Sequence, residues 1–218
     1  MKSFLRNNGL SITFLLLFIG AMIGQVVFGF KEHNDEMLDE GGRLLTLGEY
    51  LTSGHFIQAT FENWESEFLQ MALFVWLTIY LRQKGSSESK HLDRKEDVDR
   101  KPSAKKKDAP WAVRQGGWIL KLYSNSLTIA LVVMFVISFV LHFYGSLNDE
   151  NLSSTLKGKP LQTASDYLAS PRFWFESFQN WQSEFLSVFA IITMSIYLRQ
   201  KGSPQSKPVD ASHDETGE

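Results

Sequence analysis

The chain has 218 residues, a formal net charge of −2 and no cysteine. A near-neutral balance offers no electrostatic footprint for nucleic acid, and the missing cysteines exclude disulfides, thiolate metal sites and cysteine nucleophiles. Charged residues make up 21% of the chain, yet they gather in the ends, the middle and the loops and leave long uncharged runs.

Residues 10–30 form the first such run, 21 residues without a charged side chain. A bilayer core needs about 20 apolar residues in a helix, so this run predicts a membrane span. Lys2 and Arg6 precede it, as in a signal peptide. The run is longer than the usual 7–15 apolar residues of a signal, which predicts a retained helix. The acidic stretch Glu32, Asp35, Glu36, Asp39 and Glu40 lacks calcium-loop spacing and reads as a solvated loop. Thr46-Leu47-Gly48-Glu49 is a capping box and predicts a short helix that stops near Ser53-Gly54. The aromatic-rich residues 56–61 then feed a second span over about 64–82, with Trp64 and Arg82 as interface anchors.

Residues 87–117 form a basic linker, with almost nothing apolar from about Lys84 to Pro110, and it is expected to be disordered. Trp111, Trp118, Ile119, Leu120 and Leu122 lie among Arg114 and Lys121, an interfacial lead-in. The third span is predicted over residues 126–145, 20 residues without charge. Thr163-Ala164-Ser165-Asp166 predicts a second capped short helix, after which Ser170 suits an N-cap and Pro171 a first helical position. Aromatic residues 173–178 lead into a fourth span over about 181–199, anchored by Trp181 and Arg199, and 204–218 reads as a disordered tail.

A shift of 117 residues superimposes the two halves. Residues 63–86 match residues 180–203 at 14 of 24 positions, most clearly in Tyr-Leu-Arg-Gln-Lys-Gly-Ser at 80–86 and 197–203. The expected fold is all-α: an integral membrane four-helix bundle of two tandem hairpins, residues 1–86 and 118–203. Each hairpin returns to its starting side, so both repeats have the same orientation. The ends and the linker hold 17 basic residues and the two hairpin loops hold five, which places both termini and the linker in the cytoplasm.

Within the second span, Asn63, Glu67, Gln70, Phe74 and Thr78 fall on one helix face, as do Asn180, Glu184, Ser187, Ile191 and Ser195 in the fourth. Lipid cannot satisfy such groups, so both faces should point into the bundle. Gln25 and His142 lie at matching depths in the first and third spans, which suggests the pairs Glu67–Gln25 and Glu184–His142. Gly20 and Gly24 suggest a close helix approach. These polar groups either bond one another and fix register or form a proton or cation relay; the packing role is the expectation. No phosphate loop, dinucleotide fingerprint or hydrolase motif is visible, and the five histidines show no metal-ligand spacing. Neither an enzyme, a cofactor nor a metal is expected.

The block Asn-Trp-(Glu/Gln)-Ser-Glu-Phe-Leu at 63–69 and 180–186, with the Tyr-Leu-Arg-Gln-Lys-Gly-Ser blocks that follow, resembles an uncharacterised family of small bacterial membrane proteins classed as a domain of unknown function. The first copy departs from the pattern with Glu65 for Gln182 and Ser87 for Pro204. The resemblance implies a bacterial inner membrane and no catalytic residue. The expected function is a structural or interaction module, in envelope stress or as a partner subunit. Its expected partners are the bilayer, a second copy or another protein, with no nucleic acid. The alternative is a small transporter or channel component with a path near Glu67 and Glu184; a lipid-modifying enzyme is a distant third.

Overall fold

A computed structural model describes residues 2–217, with side chains from Phe4 onward; the Lys2 charge counted above lies outside the described side chains. The described residues hold helices and no strand. In chain order the helices are α1 (Lys2–Asp39), α2 (Leu47–Tyr50), α3 (Gly54–Leu77), α4 (Trp111–Gln115), α5 (Gly117–Ser124), α6 (Ser126–Leu156), α7 (Ala164–Leu168) and α8 (Pro171–Tyr197). Within the linker, the regular structure is a 3-10 turn at Asp97–Asp99 and α4.

Two helices, α1 and α6, are long and apolar enough to cross a membrane. At about 1.5 Å per residue the 38 residues of α1 reach about 57 Å, well beyond a core of about 30 Å. The acidic stretch read as a loop is therefore, up to Asp39, the last turns of α1. Nothing breaks the helix before Gly41, whose φ of +78° is open to glycine at little cost. The Gly42 amide then reaches back to the Met37 carbonyl in a Schellman-like stop. The end of α6 repeats this 117 residues on, with Gly158 at φ +64° and the Lys159 amide on the Ser154 carbonyl. α3 ends at Leu77, short of the expected 82.

The chain forms two compact units. The first comprises Met1–Phe61 and Val140–Trp174. Its apolar centre is Tyr50, Tyr167 and Phe173, all nearly inaccessible. Tyr50 packs against Phe30 and Phe56, and Tyr167 against Phe143 and Phe173. After each long helix the returning chain is clasped by an asparagine. The Leu45 amide donates to Asn34 Oδ1 at 2.7 Å and Asn34 Nδ2 donates to the Leu45 carbonyl. Gln162 and Asn151 do the same. The short helices start as the capping residues predict: Thr46 accepts from the Glu49 amide and Thr163 from the Asp166 amide. Pro171 opens α8. Gly20 and Gly24 have open space around them; the close approach is at Gly54 and Gly145 instead. A Cβ on Gly54 would stand 2.6 Å from the Gly145 carbonyl oxygen.

The second unit comprises Glu62–Phe139 and Phe175–Glu218. Arg82 and Arg199 fold back to donate to the carbonyls of the preceding turn: Thr78, Ile79 and Leu81 for the first, Ser195, Ile196 and Leu198 for the second. The guanidinium satisfies carbonyls that a helix end leaves orphaned. The polar tail folds against the segment after α3. Lys207 Nζ donates to the carbonyls of Ser212, His213 and Glu215, and the Gly85 amide donates to Thr216. Burial holds the Lys207 ammonium below its ordinary range, with the Arg199 charge adding to the effect.

Candidate functional site

The polar stripe is built differently from the arrangement its spacing suggests. Glu67 is exposed and Glu184 half-buried, and the two carboxyls are close enough to act on each other. Gln25 donates instead to the Thr60 hydroxyl at 3.1 Å, and the His142 ring packs on Phe173 at 5.1 Å. The hydroxyls mostly serve their own helix: Thr78 donates to the Phe74 carbonyl, Ser187 to Glu184 and Ser195 to Ile192. Such back-bonding satisfies a hydroxyl without any partner across the fold. Ser195 also meets the Ser86 hydroxyl at 2.9 Å, both buried. Trp64 and Trp181 are half-buried.

The carboxylate that the stripe left out is the buried one. Glu65 is inaccessible, and the Trp181 indole N–H donates to its Oε1 at 2.8 Å. Trp181, expected as an interface anchor, thus holds a buried acid. The helix periodicity put Glu65 off the polar face; only the fold reveals which face of α3 meets α8.

A cavity of about 560 Å³ lies between α3 and α8 in the second unit. Its walls are mainly apolar, among them Leu73, Phe74, Phe185 and Ile192, with Gln70 and Thr78 as polar points and Arg82, Gln83, Glu88 and Ser89 lining it from the segment after α3. Neither Glu67 nor Glu184 lines it.

The second cluster belongs to the first unit, where α1 ends and α3 begins. His33 on α1 is buried, and its ring stacks on His55, the second residue of α3, with centroids 4.4 Å apart. The Tyr50 ring lies beside both. Glu36, one turn past His33, offers a carboxylate, and the ligand atoms of the three residues all lie within 4.8 Å of one another. The Asp149 carboxylate is close enough to act on both imidazoles. The two histidines are 22 residues apart in sequence and meet because the chain turns back through α2; the His-x-x-Glu spacing of His33 and Glu36 was the only local signal. In the segment after α1, Arg43 forms an ion pair with Glu49 of α2 at 2.5 Å. That guanidinium, with the Thr46 backbone, holds the Glu49 carboxyl down from 4.5 to about 2.

The whole chain, residues 1–218, matches a family described as a domain of unknown function, DUF6766. The chain belongs to that family. No curated protein and no solved structure matches this DUF6766 member. Membership brings no activity with it, so chemical meaning has to come from the two clusters themselves.

Proposed function

We propose that this DUF6766 chain is a non-enzymatic, polytopic protein of the bacterial inner membrane, serving as a structural or interaction module. α3 and α8 complete four spans in two same-facing hairpins, and both termini and the linker lie in the cytoplasm. The observation that carries this reading is the surface of α1. Leu10, Phe14, Leu15, Leu16, Leu17 and Phe28 all stand exposed along the helix. Contiguous apolar surface of that length is stable only against lipid or another protein. The contacts that recur 117 residues apart support two copies of one hairpin: the asparagine clasps, the threonine caps and the arginine returns. The amphipathic α5, with Trp118, Leu122 and Tyr123 exposed, suits an interface just ahead of the third span.

One observation favours a transport role instead. Two carboxyls close enough to act on each other, Glu67 and Glu184, are groups that a relay would use. The cavity between α3 and α8 weighs against it, since it is mainly apolar and reaches neither group.

Topology and flux decide between the readings. Phosphatase fusions at residues 43 and 160 should be active, and fusions at 103 and 206 inactive. Purified protein in proteoliposomes should pass no protons or cations above an empty-vesicle baseline. Flux that disappears in Glu67→Gln with Glu184→Gln would overturn the scaffold reading in favour of the relay.

A further inference from the structure

We propose that His33, Glu36 and His55 bind a first-row divalent cation, zinc by the fit of its ligands, with the Asp149 carboxylate as the balancing charge. The geometry comes first. The three ligand atoms lie within 4.8 Å of one another, on the end of α1 and the start of α3. Ligand atoms around a tetrahedral zinc at about 2.0–2.1 Å stand about 3.4 Å from each other, so the three atoms have to draw about 1 Å closer as the stacked rings turn. The second observation is independent of spacing. His33 is 4% exposed, and neither of its ring nitrogens has a hydrogen-bond partner; the His55 Nδ1 also lacks one. The Glu36 carboxylate stands 3.8 Å from His33 Nδ1, beyond hydrogen-bond range. Buried imidazole nitrogens without partners are costly, and a metal ion is one of the few things that satisfies an imidazole lone pair in an apolar setting.

The second hairpin shows what this place in the fold otherwise requires. The positions 117 residues beyond His33 and His55 are Glu150 and Arg172, and those two form an ion pair. There, opposite charges join the long helix to the start of the returning one. In the first hairpin two bases occupy the same two positions, and they have no attraction of that kind. A divalent cation supplies it. The two positive charges on the metal meet the Glu36 and Asp149 carboxylates, the second shared with the Arg172 guanidinium at 3.9 Å, with both imidazoles neutral. Binding requires the stacked rings to part, because lone pairs of parallel imidazoles do not converge. His55 is the less buried of the two, so its ring is the one that has to turn.

The test uses full-length protein, purified in detergent without a histidine tag and stripped with a chelator. Calorimetric titration with zinc chloride should give one site per chain. Replacing the exposed Glu36 (Glu36→Gln) should weaken binding about tenfold or more, as should His55→Gln. The pair His91→Ala with His213→Ala, both in the second unit, should bind as the parent does. Cobalt(II) loaded into the parent protein should give the intense visible absorption of a tetrahedral site, and His55→Gln should abolish it. The cobalt spectrum needs no variant, so a His33→Ala chain that fails to fold leaves the proposal open to refutation. Absence of zinc binding by the parent, unchanged affinity in both Glu36→Gln and His55→Gln, or binding that vanishes with His91 and His213 would each overturn it.

Discussion

Tyr50 shows how one side chain sets what its neighbours can be. It is 1% exposed and hemmed in by Phe30, His33 and Phe56. A Cβ on Gly29 would stand 2.3 Å from its hydroxyl oxygen. At the matching place in the second hairpin the residue is Ser146, and its hydroxyl hydrogen-bonds that of Tyr167. Gly29→Ala should therefore cost about 1–3 kcal/mol, as overpacking does. A fall in the detergent melting temperature checks it, with Gly48→Ala as control because nothing lies within 4 Å there. Glu49 carries a second prediction. Its folded carboxyl titrates at about 2 against an ordinary 4.5, a depressed value. Its stabilising effect is thus complete above about 4.5 and is lost as pH falls toward 2. Arg43→Gln should move the carbon-13 titration midpoint of Glu49 upward, and a midpoint that stays put would refute the ion pair as its cause. The Thr46–Glu49 cap was legible in sequence because its partners are three residues apart. The contacts His33–His55 and Glu65–Trp181 were not, because they depend on where a distant segment returns, which neither spacing nor composition encodes.

At the scale of elements, the ends of α1 and α6 matter more than their apolar centres. The apolar runs were plain from the sequence, but the helices continue past them to Asp39 and Leu156. Charge alone made residues 31–40 look like a loop, whereas acidic residues sit well in a helix and the stop had to wait for Gly41. The same sequence also holds the clasp that turns the chain. Asn34 is buried, and it both accepts from and donates to the Leu45 backbone. Asn34→Ala leaves one amide and one carbonyl of Leu45 without partners, at a cost of about 1–3 kcal/mol. Hydrogen exchange should read this locally: the Leu45 amide loses protection while the Gln162 amide, held by Asn151, keeps its own. Equal loss at both amides would mean that the clasp is not a local device.

For the molecule as a whole, the question is what covers α1. Its membrane-competent stretch has none of its residues buried by the rest of the chain, while 17% of the matching stretch of α6 is buried. A core helix of a water-soluble protein would hide such a surface, because exposed apolar area costs roughly 25 cal/mol per Å² against burial. Lipid removes that cost. Ile19, 44% exposed, sits mid-way along the uncharged run, so its side chain should face acyl chains. Ile19→Arg then places a guanidinium near the bilayer centre, a penalty of about 2.5–3.5 kcal/mol on insertion. The same change at Leu152, near the end of α6 and past its uncharged run, should cost little even though Leu152 is also exposed. Membrane fractions washed at alkaline pH distinguish these cases. The parent chain and Leu152→Arg should stay in the pellet, and Ile19→Arg should show a reduced inserted fraction. Equal retention of Ile19→Arg would mean that α1 faces a polar path or a protein neighbour that accepts the charge. That result would point the function away from a lipid-embedded scaffold and toward an assembly built around this helix.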